Sequence, residues 1–251
     1  MSADKYCNTS KILIKPTTKE IVYNIIIKKH YSNKWTASTN IYAVYYKDGE
    51  HKFFEGDNLK LIGVVLYGYP VGFRVVKSIS DILNNDEVLE LKRLWIEDGY
   101  GKNIESYVIS QTLKMVRRES SCVRVIISYA DRDENHKGII YRASNWLYQG
   151  FDIGRGDAFM YRYPNTEEWL TDRAIGVKLG TNSLHGVLKK IPDMEYKVKF
   201  RKHRYLYPIG SKKQNRDLIK SLKHPLVDYH HHDNDEMIPV VEKKYWELND
   251  K

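Results

Sequence analysis

The stretch CVRVIISYADRDENHKGIIYRASNWLYQG, Cys122 to Gly150, decides the fold class. Val123, Val125, Ile126 and Ile127 make a β-branched run of the kind that fills a buried strand. Asp131 to Lys137 is charged and reads as a loop, and GIIYRASNWLYQG reads as a short aromatic helix closed by Gly150. A buried strand that hands over to a helix through a polar loop is the repeating unit of an α/β sheet. Asp131, His136 and Tyr141 stand at equal intervals across that connection. Loops leaving the carboxyl end of a strand are where open α/β sheets place their chemistry.

The flanking segments extend the pattern. TKEIVYNIIIKKHYS has apolar residues at helical spacing, with Thr17 or Thr18 as cap and a cationic last turn. IYAVYYKDGEHKFFEGDNLKLIGVVLYGYP gives two strands around a polar hairpin at Asp48 and Gly49. EVLELKRLWIEDG is a further strand, and YGKNIESYVISQTLKMVRRE an amphipathic helix with Ile104, Val108, Ile109, Leu113 and Met115 inward. AFMYRYPN is another strand. Strand, helix, strand, helix, strand predicts an α/β mixed sheet, partly parallel, with helices on its faces. Beyond Pro164, TEEWLTDRAIGVKLG reads as a helix and loop, and EYKVKFRKHRYLYPIG as a basic, aromatic-interleaved strand or strand pair. The division expected is a catalytic domain over 11–165, an extension over 166–210 packed on or beside it, and a polar peripheral tail over 211–251 with His230, His231 and His232.

The 251 residues are 42% hydrophobic with 20 Tyr, enough for one substantial core and an appendage, and too aromatic for a disordered chain. A net charge of +9 points to an acidic partner, nucleic acid before an anionic membrane. Two cysteines, Cys7 and Cys122, suggest neither a disulfide framework nor a thiolate cluster. The start lacks a signal-peptide core, and no run approaches the roughly 18 apolar residues of a membrane helix, so a soluble intracellular protein with no membrane partner is expected.

Four groups of residues carry candidate chemistry or binding. Gly99, Gly101, Lys102, Asn103 and Ser106 lie between a strand and a helix start, where glycines admit a phosphate and the helix N-terminus offers N–H groups. They fit a pyrophosphate cradle, with coenzyme A the natural ligand, or an ordinary turn; they match neither the P-loop nor the dinucleotide fingerprint. His30 and Tyr31 close the first helix, either as one more cation at its negative pole or as base and proton-transfer groups. Asp131, His136 and Tyr141 are, singly, a turn carboxylate, a solvated histidine and a core aromatic; together they read as a site. The basic run Lys197, Lys199, Arg201, Lys202, His203 and Arg204, interleaved with Phe200, Tyr205 and Tyr207, is either a DNA backbone contact or a protected sheet edge.

The segments HYS with Trp35 after the first helix, LKRLWIEDGYGKNIESYVISQTLKMV, and SYAD through NWLYQG resemble the Mom-type DNA adenine modification proteins of bacteriophages, a branch of the GNAT acyltransferase superfamily. The resemblance implies a GNAT-like fold with two splayed strands, VLELKRLWI and CVRVIISYA, holding the cofactor. It implies a transferase that converts adenine in double-stranded DNA to its carbamoylmethyl derivative at the exocyclic amine, in the host cytoplasm, protecting phage DNA from restriction. An acyltransferase acting on another amine and a non-catalytic DNA-binding protein are the alternatives. The family's catalytic residues fall on His30, Tyr31, Asp131 and Tyr141, with Tyr141 able to protonate a leaving thiolate or hold an intermediate. A coenzyme A thioester and iron, held by His and carboxylate, are the cofactors the resemblance brings in. The donor and the oligomeric state stay open. An extruded adenine needs aromatic surfaces, for which Tyr31, Trp35 and Trp146 are candidates, and Lys199, Arg201, Lys202 and Arg204 are the expected phosphate contacts.

Overall fold

The computed structural model describes residues 6–47, 59–132, 136–151, 158–199 and 202–228. The chain divides into two compact units, one of Met1–Tyr129, Gly138–Gln149 and Arg204–Val227, the other of Ala130–Lys137, Gly150–His203 and Asp228–Lys251.

The first unit is built on a seven-stranded sheet. Its strands are β1 (Ile12–Pro16), β2 (Asn40–Lys47), β3 (Leu59–Gly68), β4 (Val88–Ile96), β5 (Val125–Ala130), β6 (Leu147–Phe151) and, from much later in the chain, β10 (His203–Pro208). The order is β1-β2-β3-β4-β5-β10-β6. β1 to β4 pair antiparallel, and β4 pairs β5 in parallel, so the mixed sheet expected from the alternation is present. The helices are α1 (Lys19–Lys29), α2 (Phe73–Ile79), α3 (Ile104–Glu119), α4 (Ile139–Ala143) and α7 (Lys212–Lys220).

Each helix is held by its apolar stripe. On α1, Val22 and Ile26 sit on Ala43, Val64 and Leu66. On α2 and α7, Val76, Ile79 and Leu218 close over Val88, Val125, Ile127 and Leu206. α3 buries Ile104, Val108, Ile109, Thr112, Leu113 and Val116, whereas Met115, expected inward, is only half-buried. Each buried aliphatic side chain there is worth about 1.5–3 kcal/mol. Thr112 is tolerated in the stripe because its hydroxyl donates to the Val108 carbonyl at 2.9 Å and accepts from Tyr67 at 2.8 Å.

The second unit carries β7 (Ala158–Arg162), β8 (Leu170–Thr171) and β9 (Glu195–Lys199), ordered β8-β7-β9, with α5 (Asp172–Leu179) and α6 (Leu184–Lys190). Its core is Tyr161, Leu170, Ile175, Leu184, Val187 and Met194. Thr171 caps α5 through the Ala174 N–H, Ser183 caps α6 through the Gly186 N–H, and Gly180 ends α5 at φ 70°.

Three expectations change. Gly150 does not close a helix: α4 ends at Ala143, Asn145 turns the chain at φ 61°, and Leu147 onward is strand β6. The boundaries at 165 and 210 do not hold, because β10 lies inside the large sheet and α7, placed in a peripheral tail, buries Leu218 in the core. The basic strand pair exists, but β9 and β10 belong to different sheets. The hairpin at Asp48 and Gly49, Phe200, Arg201 and the triplet His230 to His232 lie outside the described residues.

Candidate active site

β4 and β5 run together only briefly. Val88, Leu89 and Glu90 pair with Val125, Ile126 and Ile127, and the ladder stops there although β4 continues to Ile96 and β5 to Ala130. At the same point β4 carries a bulge: Leu66 pairs with Arg93 and Tyr67 with Leu91, leaving Lys92 as the extra residue. This is the splay expected between these two strands. Lys92 reaches over to the Ala37 carbonyl at 3.0 Å, and burial holds its ammonium below the ordinary lysine range.

The strand gap has its own closure. The Ser128 hydroxyl donates to the Leu91 carbonyl at 3.0 Å and meets the Tyr141 hydroxyl at 2.8 Å. A serine has one hydrogen to give, and a carbonyl can only accept. Tyr141 is therefore the donor to Ser128, and the phenol presents its remaining lone pair. The Tyr141 ring is 7% exposed, stacked on Tyr205 at 4.8 Å and edge-on to Trp146 at 5.0 Å. Burial, with Tyr31 and Glu90 adding, pushes its hydroxyl up to about 12. Ser128, which can turn to donate to a phenolate, works in the opposite direction. Gly138, at φ 67°, stands over the Tyr205 hydroxyl, where a Cβ would come within 2.3 Å of its oxygen. Only glycine lets the loop enter α4 this close to the aromatic stack.

His30 and Tyr31 follow α1. The turn is closed by the Asn33 N–H on the His30 carbonyl at 2.9 Å, with Asn33 at φ 47°. His30 is 3% exposed, and its Nδ1 receives the Ser32 N–H at 3.1 Å. An amide N–H can only donate, so the neutral ring carries its hydrogen on Nε2. The rings of His30 and Tyr31 lie 4.3 Å apart, and Tyr31 remains 45% exposed.

Asp131 follows β5 directly and belongs to the second unit. It is 7% exposed, its carboxylate is held by the Lys202 ammonium at 2.5 Å, and its carbonyl accepts the His136 N–H at 2.9 Å. His136 itself is exposed.

The loop ahead of α3 has Gly99 at φ 95°, Gly101 at φ 100° and Asn103 at φ 65°. α3 starts at Asn103 without a side-chain cap, and nothing lies within 4 Å of where a Gly99 Cβ would point. Lys102 is exposed, and its carbonyl takes the Cys7 N–H at 3.0 Å. The Ser106 hydroxyl is already committed to the Asn103 carbonyl at 3.0 Å. The loop itself thus takes up the Ser106 hydroxyl, and Glu105 in the first turn of α3 opposes an anion at this helix start.

Residues 11–229 match the Mom protein family. The chain belongs to that family. It is similar to the methylcarbamoylase mom of Escherichia phage Mu, 28% identical over 210 residues that cover 80% of this chain and 78% of that protein. Among solved structures it is similar to a GNAT family acetyltransferase from Elizabethkingia anophelis with acetyl-CoA bound, at TM-score 0.41 and 11% identity over 79% of this chain and 98% of that one. It is likewise similar to an IAA acetyltransferase from Bacillus cereus, at TM-score 0.41 and 9% identity over 78% and 99% of the two chains.

The remaining residues expected from the Mom resemblance are placed unevenly. Trp35 packs beside Tyr23 on α1, with the Lys19 ammonium 5.5 Å from its ring. Trp146 is 1% exposed, so it offers no stacking surface. Arg204 is a correction: it is 1% exposed, and its Nε and Nη2 meet no acceptor, because it shares a sheet face with Leu206 two residues on. Lys202 is turned to Asp131, and Lys199 is half-buried on β9. Among the described residues no group of three or more His, Cys, Asp or Glu could hold a metal ion, so the iron expectation has no matching ligand set there. Ser128 and Lys92 were missed; the bulge and the hydroxyl's two partners depend on strand register, which leaves no mark in local sequence.

Proposed function

We propose that this chain is a transferase of DNA that places a carbamoylmethyl group on the exocyclic amine of adenine in the duplex, so that phage DNA escapes host restriction. The observation that carries this reading is the match to the Mom family across residues 11–229. The phosphate-seeking charge of +9 agrees with a duplex substrate.

In this reading Tyr141 works as a hydrogen-bond acceptor. Its own proton is directed to Ser128, so its free lone pair is suited to hold an N–H of the attacking amine or of the transferred carboxamide. His30 offers an Nε2 hydrogen and backs Tyr31, whose exposed ring is suited to stack on an extruded base. Asp131, its charge balanced by Lys202, is the carboxylate assigned to take the amine proton. A coenzyme A thioester, with its diphosphate at Gly99, Gly101, Lys102 and Asn103, would supply a carbonyl activated toward an amine. Simple acyl transfer from it leaves an amide on the adenine nitrogen, whereas a carbamoylmethyl group is joined through a methylene. The donor class is thus the point on which two readings part: DNA carbamoylmethylation, and acyl transfer to the same or another amine.

Mass spectrometry of nucleosides from DNA of cells expressing the chain separates them. A carbamoylmethyl adduct on deoxyadenosine is expected. An acetyl adduct would favour acyl transfer, and unmodified DNA would remove the DNA reading.

A further inference from the structure

Arg204, on β10, is 1% exposed, and its Nε and Nη2 meet no acceptor. These two nitrogens lie on one edge of the guanidinium, the edge whose spacing and direction match the two oxygens of a carboxylate. On the neighbouring strand β6, Gln149 is fully buried, and its Oε1 meets no donor. We propose that the two side chains form an enclosed site for a small hydroxy acid of single negative charge, glycolate being the smallest member of the class.

The sheet sets the two groups side by side. Leu206, two residues after Arg204, and Leu147, two residues before Gln149, pack in one cluster, so alternation turns Arg204 and Gln149 to the same face. On the opposite face the Tyr148 and Tyr205 rings stack at 5.1 Å, which holds the two strands level at this point. The segment after α7 lies over the face that carries Gln149. The Gln149 Nε2 donates to the His224 carbonyl at 2.9 Å, the Val227 N–H to the Tyr148 carbonyl at 2.9 Å, and the Lys223 N–H to the Ile79 carbonyl at 3.0 Å. With Nε2 committed to His224, the orientation of the amide is fixed and Oε1 is left as an acceptor.

Charge and donors define the occupant. The buried members of the cluster are all aliphatic, Lys223 with Asp81 and Arg124 with Glu87 form ion pairs of their own, and Glu90 on β4 is separated from β10 by the width of β5. One buried positive charge therefore calls for one negative charge, since a dianion would leave the core unbalanced in the other sense. A carboxylate supplies that charge and takes both guanidinium nitrogens, and a hydroxyl beside it donates to Gln149 Oε1. Chloride and acetate have no such donor, and an amino-acid zwitterion carries no net charge. None of the residues assigned above to the reaction takes part, so the site is independent of the DNA reading.

The test follows the melting midpoint of the full chain at fixed pH and ionic strength, with sodium chloride replaced stepwise by sodium glycolate, acetate or sulfate. Glycolate should raise the wild-type midpoint by about 3 °C or more at saturation, and acetate should need about tenfold higher concentration for the same shift. Arg204→Met should be insensitive to every anion, and Gln149→Leu should respond to glycolate and acetate alike. Arg204→Lys, which keeps the charge and loses the two-nitrogen edge, should lose most of the response. A glycolate shift that survives Arg204→Met overturns the site. Equal shifts from sulfate and glycolate, or no shift over chloride in the wild type, mean an adventitious ion only and overturn the hydroxy-acid assignment.

Discussion

The two units differ in the polar groups that their cores hold, while both set cations over aromatic rings at the surface. The first buries polar groups in a seven-stranded sheet: Tyr67 on Thr112, Tyr141 on Ser128, and the Arg204 guanidinium at 1% exposure with two nitrogens unmatched. The second keeps its cations over aromatic faces at the surface, with Arg162 and Lys197 at 4.7 and 4.4 Å from the Trp169 ring and Lys178 at 5.8 Å from Tyr163. Buried polar groups are costly to leave unmatched, whereas exposed charges are screened and worth little. Single substitutions should therefore act strongly in the first unit and weakly in the second, with Asp131 as the exception.

Tyr141→Phe should produce the largest effect. It keeps the ring packing and removes the hydroxyl, so DNA modification should fall about 100-fold or more while the melting transition changes little. Asp131→Ala should match it. Modification at the wild-type level in either would remove that residue from the chemistry and reduce the contrast between the units to packing alone.

Ser128→Ala leaves the Leu91 carbonyl and the Tyr141 phenol without their shared partner. A loss of about 1–3 kcal/mol in chemical denaturation is expected, with Ser128→Thr recovering most of it. Equal losses in both variants would point to crowding at the strand gap rather than to the hydrogen bonds.

Alkaline stability sharpens the same comparison. Tyr141 has its ordinary value of 10.0 in the unfolded chain and about 12 when folded, so its share of stability is complete below pH 10 and is lost as pH rises to about 12. Tyr67 and Tyr42 are also pushed up by burial and act in the same sense. Tyr141→Phe should make the fall in stability above pH 10 shallower, as read from urea midpoints across that range.

Arg204→Met should go the other way and raise stability by about 1–2 kcal/mol, because it removes a buried guanidinium two of whose nitrogens, Nε and Nη2, meet no acceptor. A clear loss would show that the guanidinium is matched in solution. The smallest effect belongs to the second unit: Lys197→Ala should cost about 0.5–1 kcal/mol through its contact with Trp169. A larger loss would mean that this surface supports its unit as the buried groups support the other.

Much of the fold was legible because it is written in local periodicity. The β-branched run before Asp131 is β5, the stripe of Ile104, Val108, Ile109 and Leu113 is the inner face of α3, and the left-handed residues at Gly99, Gly101 and Asn103 lie where the turn was expected. The helix assigned through Gly150 went wrong because Leu147, Tyr148 and Gln149 suit either period when the segment is this short.

By itself the sequence determined the class of sheet and its family, since each of these depends on side chains close together in the chain; His30 with Tyr31 and Asp131 with Tyr141 stand in it as two separate groups of interest. Tertiary structure alone decided where the β4 ladder stops, that Ser128 accepts a hydrogen bond from Tyr141, that Lys202 neutralises Asp131, and that Arg204 faces inward. A strand's alternation says that it has two faces; it does not say whether the strand lies at an edge or between two others. β10 entered the sheet between β5 and β6, two strands more than fifty residues earlier in the chain, and that long-range pairing turned a basic, seemingly exposed segment into core.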